Sequence, residues 1–123
     1  MNCPFCNLKE NEFWKNGRLA FVIKDRHPVS EGHLLIIPKQ HRTDYFDLST
    51  EELAEINELL MACRHEMLAQ DPRVEGFNIG ANCGEVAGQT IFHCHIHLIP
   101  RRKGDDPNPR GGVRAVIDGK KSY

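Results

Sequence analysis

Three histidines alternate with other residues in the segment HCHIHLIPR at 93–101. Imidazole can act near neutral pH as a nucleophile, a proton donor or a metal ligand. On a β-strand, successive side chains point to opposite faces, so His93, His95 and His97 would share one face while the residues between them face the core. Three imidazoles in a row indicate a functional site rather than three separate structural histidines.

Strand geometry disfavours one metal held by all three histidines. At about 3.3 Å per residue, the backbones of His93 and His97 lie about 13 Å apart, whereas zinc needs nitrogens at about 2.0–2.1 Å. The N-terminal C-P-F-C pair offers other ligands, because two cysteines and two histidines form a standard tetrahedral zinc set. A redox pair or a terminus without metal is the alternative. We predict that four residues hold a structural zinc ion: Cys3, Cys6, His41 and His93.

This division leaves His95 and His97 for chemistry on phosphorus. Adjacent imidazoles can supply a nucleophile and a proton donor for a leaving group or a phosphate oxygen. The preceding loop GEVAGQT, at 84–90, contains glycines that allow close approach of backbone N–H groups to a phosphate, and it ends in polar side chains that can donate hydrogen bonds. Most glycine-containing loops are only turns, so this loop indicates a phosphate site only in combination with the histidines.

Hydrophobic periodicity predicts the elements that position these side chains. A Ser-Thr-Glu-Glu capping box at 49–52, followed by apolar residues at three-to-four spacing, predicts a helix that ends near Gln70. The segments predicted as strands are 19–24, 33–38, 76–83 and 91–100. The first two are too close in sequence for a parallel crossover, so we expect an antiparallel sheet with one long helix packed on it, an α+β architecture.

Composition limits the classes of function. The chain has 123 residues, of which 40% are hydrophobic and 27% charged, with a formal net charge of -1. These values fit one globular domain over 1–123, with the polar segment at about 104–123 as a C-terminal arm, and they give no electrostatic indication of a nucleic-acid partner. No apolar run has the length of a membrane span and the start lacks the pattern of a signal peptide, so we expect a cytoplasmic protein with no membrane partner.

The run AGQTIFHCHIHLIPR resembles the signature of the histidine triad (HIT) family, in which three histidines alternate with hydrophobic residues after a GQS or GQT element. The likeness extends to the CPFC pair, to the segment at 25–41 and to the loop at 82–90, so it covers the chain up to about residue 105. It implies a homodimer with an antiparallel sheet of about five strands, one long helix and a shorter one.

The resemblance also implies roles for individual histidines. His95 matches the nucleophile that attacks the α-phosphate of a nucleotide, and His97 matches the residue that binds a phosphate oxygen or assists the leaving group. His93 matches the first triad member, which is a zinc ligand in relatives that carry C-x-x-C. His33 matches a histidine that supports the triad from behind.

Five further positions match residues that bind the nucleotide in the family. Asp25 sits where the family places an acidic or amide residue on the ribose hydroxyls. Asn82 occupies the polar position before the loop. The phosphate-facing part of the loop corresponds to Gly88, Gln89 and Thr90.

The implied activity is hydrolysis or transfer of nucleoside monophosphate groups through a covalent nucleotidyl-histidine. The ending HLIPRRKGD resembles the dinucleoside polyphosphate hydrolases of the family more than its phosphoramidases, and the basic residues at 101–103 would suit a long polyphosphate accompanied by Mg²⁺. We therefore predict an enzyme acting on diadenosine polyphosphates. The alternatives are an adenosine phosphoramidase, a nucleotide-binding regulatory protein with little turnover, and a zinc-binding structural module.

Overall fold

The computed structural model describes residues 2–123, and residue 1 of the predicted domain lies outside it. Five strands form one antiparallel sheet in the order β1-β2-β3-β5-β4. Their bounds are β1 Lys15–Asn16, β2 Ala20–Lys24, β3 Leu34–Pro38, β4 Val74–Gly80 and β5 Ile96–Arg102. One long helix, α1, covers Thr50–Gln70. The predicted α+β architecture is confirmed. No helix among the described residues is long and apolar enough to cross a membrane.

The predicted capping box fixes the start of α1. The Ser49 hydroxyl accepts the backbone N–H of Glu52 at 3.1 Å, and the Glu52 carboxylate accepts the backbone N–H of Ser49 at 2.8 Å. The helix ends at Gln70, as predicted, because the residue before Pro72 is pushed out of the helical region. One side of α1 packs on the sheet through Ile56, Leu59, Cys63 and Met67.

The sheet is covered on both faces. Alternate residues of β2 and β3, such as Val22 and Ile36, pack with α1 in one hydrophobic cluster. Their neighbours Phe21 and Ile37 face the other way and form a second cluster with Phe5 from the N-terminal segment. The segment that carries the two cysteines therefore lies on the face opposite α1.

The last strand begins later than predicted. β5 starts at Ile96, so His97 lies on the strand whereas His93 and His95 precede it, and the prediction that all three share one strand is wrong. In an antiparallel ladder the N–H and C=O of one residue point to the same neighbour. After Ile36, the next residue of β3 whose backbone groups point to β5 is Pro38. Proline has no N–H to donate, so the ladder stops there.

The predicted shorter helix is also absent from residues 2–123. Four short 3-10 helices occur instead, at Glu10–Glu12, Tyr45–Asp47, Glu85–Ala87 and Gly112–Val116. The turn in the glycine loop lies between Gly84 and Gly88, both at a φ of 96°, where an α-helix cannot continue. β1 has only two residues, too few to show a periodicity in the sequence.

Candidate active site and metal-ligand cluster

The four predicted zinc ligands come together from three separate segments. The Sγ atoms of Cys3 and Cys6 lie 3.3 and 3.5 Å from Nδ1 of His93, and Cys6 Sγ lies 3.2 Å from Nδ1 of His41. All four ligand atoms lie within 4.8 Å of one another. A tetrahedral zinc ion with bonds of about 2.3 Å to sulfur and 2.0–2.1 Å to nitrogen separates such ligands by about 3.5 Å, so the cluster fits zinc.

A second contact prepares His93 for this role. Its Nε2 lies 2.8 Å from the backbone oxygen of Pro38, and a carbonyl can only accept, so Nε2 carries the proton. Nδ1 is then left with a lone pair that points to the two sulfur atoms. The side chain is 0% exposed, and burial lowers the pKa of His93, which favours the neutral form that a metal ligand requires.

His95 is held by a different carbonyl. Its Nδ1 lies 2.8 Å from the backbone oxygen of His93, so Nδ1 carries the proton and donates it to that oxygen. In neutral imidazole the other nitrogen then has a free lone pair. His95 is half-buried and presents Nε2 as a nucleophilic atom of fixed tautomer.

His97 takes its orientation from His33. The backbone N–H of Val29 donates to Nδ1 of His33 at 3.2 Å, so the proton of neutral His33 is on Nε2. Nε2 of His33 lies 2.9 Å from Nδ1 of His97 and donates to it. The proton of neutral His97 is therefore on its Nε2, and the ring presents a hydrogen-bond donor. We call this chain from Val29 through His33 to His97 the relay.

Burial keeps the relay neutral. It lowers the pKa of His33, and the nearby carboxylate of Asp25 opposes the shift. Burial also lowers the pKa of His97, helped by His95 and His33 and opposed by Asp25. The Asp25 carboxylate lies 3.4 Å from Nε2 of His33 and 3.9 Å from Nδ1 of His97. These three side chains could also meet at a metal ion. Because Nδ1 of His33 accepts the Val29 N–H, Nε2 of His33 carries a proton and has no lone pair for a metal ion. The arrangement therefore favours a hydrogen-bonded relay.

The glycine loop is closed from inside by Gln89, which is only 3% exposed. Its Oε1 accepts the N–H of Gly84 at 2.8 Å, and its Nε2 donates to the carbonyls of Thr43 at 2.7 Å and Ile91 at 3.1 Å. Both side-chain N–H groups are therefore used. In this structure the side chain therefore holds the loop to its neighbours, and phosphate binding by Gln89 stays a prediction.

The predicted nucleotide contacts divide between two cavities that share His33. A cavity of about 720 Å³ is lined by Asn82 and His97, together with residues of the C-terminal arm. Asp25 lines a neighbouring cavity of about 470 Å³, and one of its oxygens accepts the N–H of His27 at 2.8 Å. Thr90 and Gly88 are exposed and line neither cavity.

Two of the three basic residues after the triad are engaged in ion pairs that the sequence analysis missed. Arg101 donates to both carboxylate oxygens of Asp105 at 2.9 Å and to Asn78 at 2.7 Å. Arg102 donates to Asp71 at 3.2 and 2.9 Å. Asp105 reaches Arg101 because the chain turns back directly after β5, whereas Asp71 comes from the end of α1 and no local pattern connects it to β5.

Comparisons with known proteins agree with this geometry. Residues 10–104 match the model of the HIT domain. The solved structure of a HIT family protein from Bacillus anthracis is similar with a TM-score of 0.78 at 36% identity, covering 85% of this chain and 77% of that one. A zinc-bound histidine triad family protein from Mycobacterium smegmatis gives a TM-score of 0.75 at 31% identity, over 88% and 85% of the two chains. An adenosine 5'-monophosphoramidase from Schizosaccharomyces pombe is 30% identical over 117 residues, 92% of this chain and 80% of that protein. Together with the three histidines and their separate partners, these matches show that the chain belongs to the HIT domain family.

Proposed function

We propose that this protein hydrolyses nucleoside 5'-monophosphate conjugates at the α-phosphorus, through a covalent nucleotidyl intermediate on His95. The observation that supports the proposal is the pair of fixed tautomers. His95 has its proton on Nδ1 and a lone pair on Nε2, whereas His97 has its proton on Nε2. One ring is thus prepared to attack and the other to donate.

The reaction then has two balanced steps. The lone pair on His95 Nε2 forms a bond to the α-phosphorus as the bond from phosphorus to the leaving group breaks. The leaving group takes that electron pair and a proton from solvent, while the Nε2–H of His97 donates a hydrogen bond to it. A water oxygen next attacks the same phosphorus, and the bond between phosphorus and His95 breaks. One water proton returns to solvent, so both rings end in their starting forms.

The remaining residues bind the nucleotide in this scheme. Asp25 binds the ribose hydroxyls, and Asn82 lies in the cavity beside His97 to contact the phosphate group. Gly88 and Thr90, exposed at the end of the glycine loop, approach the phosphate oxygens and stabilise the charge that develops on them. Gln89 contributes indirectly by keeping that loop closed.

Phosphoramidates of adenosine monophosphate are the substrate class that we favour. A long polyphosphate would need free cations, and Arg101 and Arg102 are already paired with Asp105 and Asp71. The relative from Schizosaccharomyces pombe is an adenosine 5'-monophosphoramidase. Diadenosine polyphosphate, the substrate predicted from the sequence, is the second candidate, because Lys103 is exposed beyond the triad.

We also propose that the cluster of Cys3, Cys6, His41 and His93 binds one zinc ion per chain. The donor set and its spacing fit zinc, and the related protein from Mycobacterium smegmatis is zinc-bound. A bound zinc ion would join the N-terminal segment to the segments that follow β3 and precede β5, which is a structural role. Dimerisation, a cytoplasmic location and a need for Mg²⁺ stay predictions.

A substrate panel tests the proposal. Adenosine 5'-phosphoramidate and diadenosine tetraphosphate, with and without Mg²⁺, are incubated with the protein, and mass spectrometry follows product formation and a nucleotidyl adduct on His95. His95→Ala should abolish both signals, while His65→Ala, which changes an exposed histidine of α1, should leave them intact. Full turnover by His95→Ala would refute the mechanism. Tight binding of adenosine monophosphate without any chemical step would instead indicate a regulatory nucleotide-binding protein.

A further inference from the structure

Phe5 is one of the two residues between the cysteines, and its side chain is buried although the neighbouring Cys6 is exposed. Only 8% of it is exposed, because it inserts into the hydrophobic cluster on the face of the sheet opposite α1. Its ring lies 5.1 Å from the ring of His95 at an interplanar angle of 70°, and 5.8 Å from the ring of His93 at 89°. Both are edge-to-face arrangements within the separation at which aromatic rings attract.

The ring of Phe5 restrains the orientation of the His95 ring in a way that the hydrogen bond to His93 alone does not. The bond from Nδ1 to the backbone oxygen of His93 fixes the tautomer and anchors one atom of the ring. A single anchored atom still allows the ring plane to rock, which would move Nε2 away from a bound phosphorus. Two ring contacts oppose that motion, one from Phe5 and one from His97 at 5.4 Å.

Two of these three restraints on His95 originate in the metal-ligand cluster. The carbonyl that accepts from Nδ1 belongs to His93, whose own Nδ1 faces the cysteines. The ring that packs against His95 belongs to Phe5, which lies between Cys3 and Cys6. The nucleophile is thus attached on two sides to the segments that the cluster joins.

We propose that Phe5 is a positioning residue for His95, and that it transmits the geometry of the metal-ligand cluster to the attacking nitrogen. This inference rests on the proposed function, in which His95 is the nucleophile. It assigns the N-terminal cysteine segment a part in the rate of the first chemical step, in addition to its structural role.

The proposal predicts a particular pattern of kinetic change. Phe5→Ala removes the ring, so the rate of forming the nucleotidyl-enzyme should fall about 10- to 100-fold, the usual cost when a group that orients a reacting residue is lost. KM should change little because Phe5 is not placed in the nucleotide cavities. Metal content should stay at the wild-type value. Phe5→Tyr, which keeps the ring, should restore most of the rate.

Phe13 offers a matched control in the same cluster. Its ring stacks on Phe21 at 4.0 Å with an interplanar angle of 11°. Phe13→Leu removes an aromatic contact from this part of the core without removing the ring that packs on His95. It should lower the stability of the fold and leave the single-turnover rate unchanged.

The experiment measures four quantities at one fixed pH: the single-turnover rate of nucleotidyl-enzyme formation, KM, zinc per chain, and the imidazole nitrogen signals of His95 by NMR. In Phe5→Ala the His95 signals should keep the Nδ1–H tautomer and broaden as the ring becomes mobile. If Phe5→Ala fails to fold, Phe5→Leu, which fills the core but lacks a ring, replaces it. Wild-type rate and sharp His95 signals in the ringless variant would overturn the proposal, as would an equal loss of rate in Phe13→Leu. If the wild-type protein forms no adduct, the proposed function fails, and the NMR comparison still decides whether Phe5 orients His95.

Discussion

Replacing His33 with Phe changes what orients the ring of His97 but leaves His97 itself in place. The substitution keeps a ring of similar size in a buried position, but it removes the donor to Nδ1 of His97 and the acceptor of the Val29 N–H. His97 is then free to place its proton on either nitrogen. The variant still contains every residue proposed to touch substrate, so a change in rate would report on the relay itself.

The size of the effect follows from the two bonds lost. Val29 is exposed, so water can replace the lost partner of its N–H, and the folding free energy should fall by about 0.5–1.5 kcal/mol, the net contribution of one hydrogen bond. Loss of the group that orients His97 should lower the rate of the chemical step by about 10- to 100-fold, which corresponds to about 1.4–2.7 kcal/mol of barrier. Urea unfolding measures the first quantity, and single turnover of adenosine 5'-phosphoramidate measures the second.

Ser49→Ala is the matched control for stability. It removes the N-cap bond to the backbone of Glu52 and should cost about 1 kcal/mol, far from the relay. If His33→Phe were destabilised to a similar extent while its single-turnover rate stayed at the wild-type value, the relay would not set the proton position of His97. The division of roles between the histidines would then need another cause.

Three further predictions follow from buried charges, the metal-ligand cluster and the histidine pKa values. Glu52→Ala leaves the guanidinium of Arg42 without the carboxylate that it meets at 2.9 Å, so the free energy of unfolding in urea should fall by about 2–3 kcal/mol, against less than about 0.5 kcal/mol for the exposed Glu51→Ala. Cys6→Ser should reduce the zinc content measured by elemental analysis, and a strong chelator should lower the melting temperature of the wild type towards that of the variant. Burial lowers the pKa of His33 and His97 from the ordinary 6.5, so the unfolded chain binds protons first as the pH falls. The free energy of unfolding should therefore decrease below pH 6.5, and equal values at pH 7.5 and 5.5 would contradict this reasoning.

Local patterns predicted the elements that depend on local interactions. The capping box at 49–52 and the three-to-four spacing placed both ends of α1, since each end depends on residues within one turn. The alternation of Ile96 and Leu98 with histidines predicted that these two apolar side chains lie in the core, because strand side chains alternate between faces. The C-x-x-C spacing predicted Cys3 and Cys6 as candidate metal ligands, and both lie in a cluster that could hold a metal ion.

Contacts between distant segments were beyond the reach of those patterns. The side-chain amide of Gln89 is a group that can donate to a phosphate, but its partners Thr43 and Ile91 are set by how two loops pack. The proton positions of the relay depend on the backbone N–H of Val29, which no side-chain pattern records. Arg102 and Asp71 are 31 positions apart and meet only because α1 ends beside β5.

The division of labour among the three histidines depends on where β5 stops pairing with β3. Had the ladder continued through Cys94, strand geometry would have placed His93, His95 and His97 on one face at equal spacing, with their backbone carbonyls free of one another's side chains. Pro38 has no N–H for that ladder, and its carbonyl accepts from Nε2 of His93 instead. His93 is thereby turned towards the cysteines, and its own carbonyl becomes available to Nδ1 of His95. An interruption of regular structure at one proline thus places one histidine in the cluster proposed to bind zinc and gives the other two the orientations on which the proposed phosphoryl transfer depends.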